Sequence, residues 1–109
     1  RHYAYDLILD FFFLHHVQQK DIDSYFNGIK AVANPGCHYI VGLLSSSNYI
    51  KQRPSFYCKG HVNYWEKQFI EDKLSQKTIN IYSGNLETTG HTFSYNIISF
   101  MIKGENNNG

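Results

Sequence analysis

The stretch "DFFFLHHV", residues 10–17, gathers a carboxylate, three phenylalanines and two histidines at the end of an apolar run. Histidine titrates near neutrality, so His15 or His16 could take a proton as general base. Metal ligation fits poorly. An adjacent pair cannot close a site by itself, and His2, His38, His61 and His91 show no ligand spacing such as HxxxH. Asp10 could accept a hydrogen bond from a bound molecule, or cap a nearby turn. A second group of candidates lies in "NYIKQRPSFYCKGHVNYW", residues 48–65. There Tyr49, Phe56, Tyr57 and Tyr64 could wrap a bound molecule, and Lys51, Arg53 and Lys59 could attract an anionic group. The plainer alternative is a solvated connection whose aromatics pin it to the body of the domain. Cys58 is a nucleophile by residue type only. No flanking residues form a cysteine-enzyme signature, and an inert thiol is the simpler reading.

These residues need elements to hold them. Tyr5 to Phe13 is almost continuously apolar and reads as a strand buried on both faces, the pattern of a parallel sheet. In "DIDSYFNGIKAVANPG", Ile22, Tyr25, Phe26, Ile29, Val32 and Ala33 fall on one helical stripe. Asp21 is placed to cap this helix, Asp23 suits its first turn, and Asn34-Pro35-Gly36 should stop it. "CHYIVGLL", 37–44, is a second apolar strand, so the first three elements make a right-handed βαβ unit. Residues 45–60 form a long loop of the kind that is usually functional or mobile. His61 to Gln76 reads as a second helix with Trp65, Phe69, Ile70 and Leu74 inward. Thr78 to Glu87 and "HTFSYNIISFMI", 91–102, read as a strand and its long antiparallel partner. The tail at 105–109 reads as disordered, leaving one domain over 1–104.

Composition narrows the class. With 42% hydrophobic and 17% charged residues, the chain is globular. Its formal net charge is +1 with Lys and Arg scattered, which argues against a nucleic-acid or membrane-surface partner. No apolar run approaches the roughly 20 residues a spanning helix needs. Two cysteines without a CxxC pair fit a reducing, cytoplasmic setting better than a disulfide scaffold. Arg1 stands only a few residues before a buried-type strand, as expected of a piece of a longer chain.

The ordered set of motifs resembles the C-terminal half of a class I S-adenosylmethionine-dependent methyltransferase. "YDLILDFFFLHHV" resembles that family's fourth strand, with Asp6 before it and His16 after it. "VANPGCHYIVGLL" resembles the helix end and fifth strand, with Cys37 where the family has a second glycine. Residues 61–102 follow the family's order of helix, sixth strand and antiparallel seventh strand. The glycine-rich loop of the cofactor-binding half has no counterpart, since the glycines at 28, 36, 42, 60, 84, 90, 104 and 109 never form GxGxG.

The resemblance implies an α/β fold, a partial Rossmann-like sheet of order 4-5-7-6 in the family's numbering. Both helices should lie on one face. The first strand's outer edge and opposite face should be left for the missing N-terminal half, or for self-association. It also implies S-adenosylmethionine as cofactor of the intact protein and a small-molecule or protein methyl acceptor. Asp10, Phe11 and Phe12 fall where the family lines the cofactor's methionine end: Asp10 as acceptor for its ammonium group, the rings as a wall around the sulfonium. A histidine at the position of His16 usually fixes the turn into the helix, with general base as the competing role. Tyr49, Phe56 and Tyr57 become candidates for a substrate lid. The family's Asp/Asn-Pro-Pro-Tyr/Phe motif for amino-group substrates is replaced by "DFFF". Two other classes stay open. One is a non-catalytic methyltransferase-like module docking on a partner subunit. The other is a flavodoxin-like or dinucleotide-binding fragment, against which the final antiparallel return argues.

Overall fold

The structure, a computed structural model, describes residues 4–45, 59–88 and 90–103, without the side chains of Thr88 and His91. Strand β1 spans Tyr5–Phe11, helix α1 Ile22–Val32, strand β2 Ala33–Leu44, helix α2 Lys67–Leu74, strand β3 Thr78–Thr88 and strand β4 His91–Ile102. A short 3-10 turn at Leu14–His16 follows β1. The sheet order is β1-β2-β4-β3. β1 and β2 are parallel, and β4 runs antiparallel to both its neighbours. The fold is therefore α/β with a partial, mixed sheet, in the strand order that the family resemblance implied.

Both helices pack on the same face. Ile22 and Phe26 of α1 and Ile70 and Leu74 of α2 join Tyr39, Val41, Ile98 and Phe100 of the sheet in one core. Tyr39 and Phe100 stack across the β2–β4 pair with ring centroids 6.0 Å apart. Glu71 ties α2 to the start of β3. Its carboxylate accepts the Thr78 N–H at 2.9 Å and pairs with Lys67 at 3.3 Å. Those contacts, the Thr78 amide first, hold its pKa down at about 2.

Three elements differ from the sequence reading: β2 begins at Ala33 rather than Cys37, and β1 and α2 differ as follows. β1 ends at Phe11 because Phe12 takes a left-handed conformation, φ 63°, which no strand accommodates. α2 starts at Lys67 rather than His61. The residues before it are tied to the turn after β1 by tertiary bonds: Asn63 N–H to the His15 carbonyl at 2.7 Å, Asn63 Nδ2 to the Val17 carbonyl at 3.1 Å, and Trp65 Nε1 to the Leu14 carbonyl at 3.2 Å. These anchors outweigh a modest helical periodicity. Finally, β1 is not buried on both faces within this chain. Leu7, Leu9 and Phe11 are 54%, 54% and 50% exposed, because no described helix covers their side.

Candidate functional site

Open α/β sheets bind ligands beyond the carboxyl ends of their parallel strands. Here that end is defined by Phe11 of β1 and Leu44 of β2. Leu44 pairs with Tyr95, and the β3–β4 ladder continues past it to Thr88 opposite His91. The hairpin therefore overhangs the parallel strands and walls one side of the cleft.

The three phenylalanines leave β1 in three directions. Phe11 lies across Gly42 on the helix-free face, where a Cβ at 42 would meet its ring at 3.0 Å. Phe12 turns edge-on to Tyr95, ring centroids 5.7 Å apart. Phe13 lines a cavity of about 480 Å³ together with His16, Val17, Gln18 and Tyr25. The left-handed residue at 12 is what separates them.

Asp10 faces the helix-covered side. The Tyr25 hydroxyl of α1 donates to its Oδ2. Tyr25 in turn lies 2.7 Å from the Tyr39 hydroxyl. Oδ1 is buried with no hydrogen-bond partner. Burial raises the carboxyl above its ordinary range, while Tyr25 and the Phe13 and Leu14 amides pull it back down. Burial pushes both phenols far up, so each keeps its proton at neutral pH. Leaving a buried acceptor unpaired costs about 1–3 kcal/mol, so Oδ1 is a place where a donor would be stabilising.

The histidines divide in role. His15 is buried, and its Nδ1 accepts the Leu44 N–H at 3.3 Å, which makes it the neutral Nε2–H tautomer and ties the turn to the end of β2. His16 is 7% exposed and borders the cavity, and burial lowers its pKa, so it too is neutral at pH 7. Gln18 bonds the His16 and His61 carbonyls, at 2.9 and 2.8 Å, and locks the turn against residue 61. Tyr49, Phe56 and Tyr57, with Lys51, Arg53 and Cys58, lie outside the described residues. No cluster of histidine, cysteine or carboxylate able to hold a metal occurs among the described residues. Nor is any described helix long and apolar enough to cross a membrane.

Sequence reasoning assigned Tyr25 to the core stripe and missed its hydroxyl. The available signal was the residue type. A buried tyrosine normally finds a partner for its O–H, and Asp10 was a nearby acceptor.

No protein-family model and no curated protein matches the sequence. Solved structures do. A methyltransferase from Methanosarcina mazei superposes with a TM-score of 0.71 at 12% identity, covering 96% of this chain and 64% of its own. The 1,6-didemethyltoxoflavin N1-methyltransferase of Burkholderia thailandensis gives 0.68 at 14% identity, with coverage of 92% and 44%. The N-methyltransferase NodS of Bradyrhizobium japonicum gives 0.62 at 13% identity, with 94% and 48%. The chain has the fold of part of an S-adenosylmethionine-dependent methyltransferase. It spans less than two thirds of each of these chains.

Proposed function

We propose that the chain is the C-terminal part of a methyltransferase that moves a methyl group from S-adenosylmethionine to a small-molecule or protein acceptor. The observation that carries this reading is the strand order β1-β2-β4-β3 with β4 inserted antiparallel, joined to an outer β1 edge that has no sheet partner among the described residues. The apolar face beside that edge, with Leu7, Leu9 and Phe11 half exposed, is where an N-terminal half would pack.

We assign Asp10, Phe11 and Phe12 to the methionine end of the cofactor, as the resemblance implies; Asp10 lies on the helix-covered side of β1 and Phe11 on the helix-free side. Asp10 offers an unpaired acceptor, and the rings of Phe11 and Phe12 stand at the strand end. When bound, S-adenosylmethionine supplies an electrophilic methyl group on a sulfonium centre. This chain's residues then orient the acceptor in line and exclude water, the effects that supply most of the acceleration in such a displacement. His16 is neutral and available as a base for an acceptor that must lose a proton. Otherwise it fixes the turn. Tyr49, Phe56 and Tyr57 are the proposed acceptor-side residues. The buried free thiol of Cys37 is compatible with a cytoplasmic setting.

The neighbours differ in acceptor. One is named for 1,6-didemethyltoxoflavin, and another was solved in work on converting a disulfide into a thioacetal in echinomycin biosynthesis. The acceptor here is accordingly left at its class. A second reading, a non-catalytic module docking on a partner subunit, is favoured by the same uncovered face. Calorimetry with S-adenosylhomocysteine separates them. The full-length natural protein should bind it and this chain alone should not. Tight binding by this chain alone refutes the half-domain view. No binding by the full-length protein favours the docking module.

A further inference from the structure

Strand β3 ends the sheet on the side away from β1, and its outer edge has no sheet partner among the described residues. Natural edges are commonly blunted by proline, lysine or a bulge. β3 contains no proline and no lysine, and Glu87 is its only charge. Its irregularity lies near the start, between Thr78 and Asn80. From Asn80 to Thr88 the ladder with β4 is unbroken. Along that run Ile81, Tyr82 and Leu86 are 43%, 60% and 46% exposed. An antiparallel strand turns its backbone groups to alternate sides, residue by residue. The Ile81 N–H bonds the Asn80 side chain at 2.9 Å, which marks it as turned away from β4. Ser83, Asn85 and Glu87 share that parity and present their N–H and C=O groups to the open edge.

This edge is complementary to itself. Gly84 is the midpoint of the unbroken run, so a second copy related by a two-fold axis at Gly84 can pair with all of it. Glycine then faces glycine, and no side chain crowds the axis. Ser83 falls opposite Asn85 of the second copy, and both turn backbone groups toward it. The same two residue types already pair within the chain: the Ser83 hydroxyl donates to Asn96 Oδ1 at 2.6 Å, and the Ser94 hydroxyl to Asn85 Oδ1 at 3.0 Å. Tyr82 falls opposite Leu86 of the second copy, and the symmetry repeats that apolar pair on the other side of the axis. The Tyr95 ring, 6.4 Å from that of Tyr82, widens the patch. The two Glu87 carboxylates stand at opposite ends of the ladder, so like charges do not meet. An unrelated strand would need its own match at each position, whereas a second copy supplies all of them. We infer that β3 is a dimer edge: two copies join β3 to β3 about Gly84, and their four-stranded sheets become one continuous sheet. The inference uses no cofactor residue and stands apart from the methyltransferase reading. A single-strand ladder buries less than a standard interface of about 1,600 Å², so the dimer is reversible.

The test uses sedimentation velocity of the full-length natural protein over a concentration series, with thermal unfolding as the check on folding. The wild type should show a monomer–dimer equilibrium. Ser83→Pro removes an outward N–H, at a position where an edge strand tolerates proline, and should weaken the dimer roughly tenfold or more. Tyr82→Lys changes an exposed side chain and should weaken it by a similar factor, since the charge would face Leu86 of the second copy. Adding Leu86→Glu to Tyr82→Lys sets opposite charges face to face on both sides of the axis and should restore most of the affinity. That rescue is specific to a two-fold at Gly84, because in other registers the two positions do not meet. A wild-type monomer even at about 100 μM overturns the proposal. So does a dimer that folded Ser83→Pro and Tyr82→Lys proteins keep unchanged, which would place the contact on another surface. Dissociation by Tyr82→Lys without rescue by Leu86→Glu overturns the pairing about Gly84. A different protein held at this edge in place of a second copy, and released by Ser83→Pro, also overturns it.

Discussion

On the face that carries α1 and α2, Tyr39, Val41 and Phe100 have no exposed surface, whereas on the opposite face Leu7, Leu9 and Phe11 keep about half of theirs. The residue types on the two sides are similar. What differs is whether a second layer is present. On β1 the helix-covered side carries Asp6, Ile8 and Asp10, whereas Tyr5, Leu7, Leu9 and Phe11 all lie on the helix-free side, so the more apolar face of the strand is the uncovered one. The helix-free face of β1 is therefore matched to something other than α1 and α2. Its outer edge adds a row of backbone groups without a sheet partner among the described residues. One side of the molecule is a covered core, and the other leaves an apolar face exposed among the described residues.

The largest test of this contrast compares substitutions on the two sides. Phe100→Ala should cost this chain about 3–5 kcal/mol in urea unfolding, as large core truncations do. Leu9→Ala in the same chain should cost less than about 1 kcal/mol, since much of the side chain is already in water. Equal losses would break the comparison. The next test moves Leu9→Ala into the full-length protein. If another layer covers Leu9 there, the cost should climb to about 2 kcal/mol or more. An unchanged small cost would mean the face stays open. The same edge should make the isolated chain self-associate in sedimentation experiments, and a clean monomer would count against an incomplete sheet.

A smaller effect belongs to the covered side alone. Glu71 has its pKa lowered from 4.5 to about 2, first by the Thr78 amide and also by Lys67. A depressed carboxyl contributes stability that is present above its unfolded pKa and lost as pH falls through the folded one. Stability should therefore decline between about pH 4.5 and pH 2. Glu71→Gln should flatten that decline in urea melts taken across the range. A slope that persists unchanged would place the acid sensitivity elsewhere. The smallest effect is on the open face. Gly42→Ala puts a methyl group 3.0 Å from the Phe11 ring, and the ring must give way. Because Phe11 is half exposed, the cost should stay below about 1 kcal/mol, with its ring protons shifting in NMR spectra. A cost of several kcal/mol would show that the ring is clamped.

The sequence by itself determined the order of strands and helices, the parallel first pair and the antiparallel return. Those follow from hydrophobic period and from chain connectivity, which local residues encode. It also marked the strand-end segment, because a carboxylate, aromatics and histidines at the end of an apolar run are unusual in composition. Tertiary structure alone decided how that segment is spent. The left-handed turn at Phe12 sends three consecutive rings to three places, and no periodicity announces it. Long-range bonds to the turn, not local propensity, shortened α2 by tying Asn63 and Trp65 to the residues after β1. The Tyr39–Tyr25–Asp10 line joins residues 15 and 14 positions apart, so only the packing of α1 against the sheet brings it together. Pattern fixes which side of an element is apolar, but a hydrogen bond between distant side chains depends on angles and distances that exist only once the elements have packed.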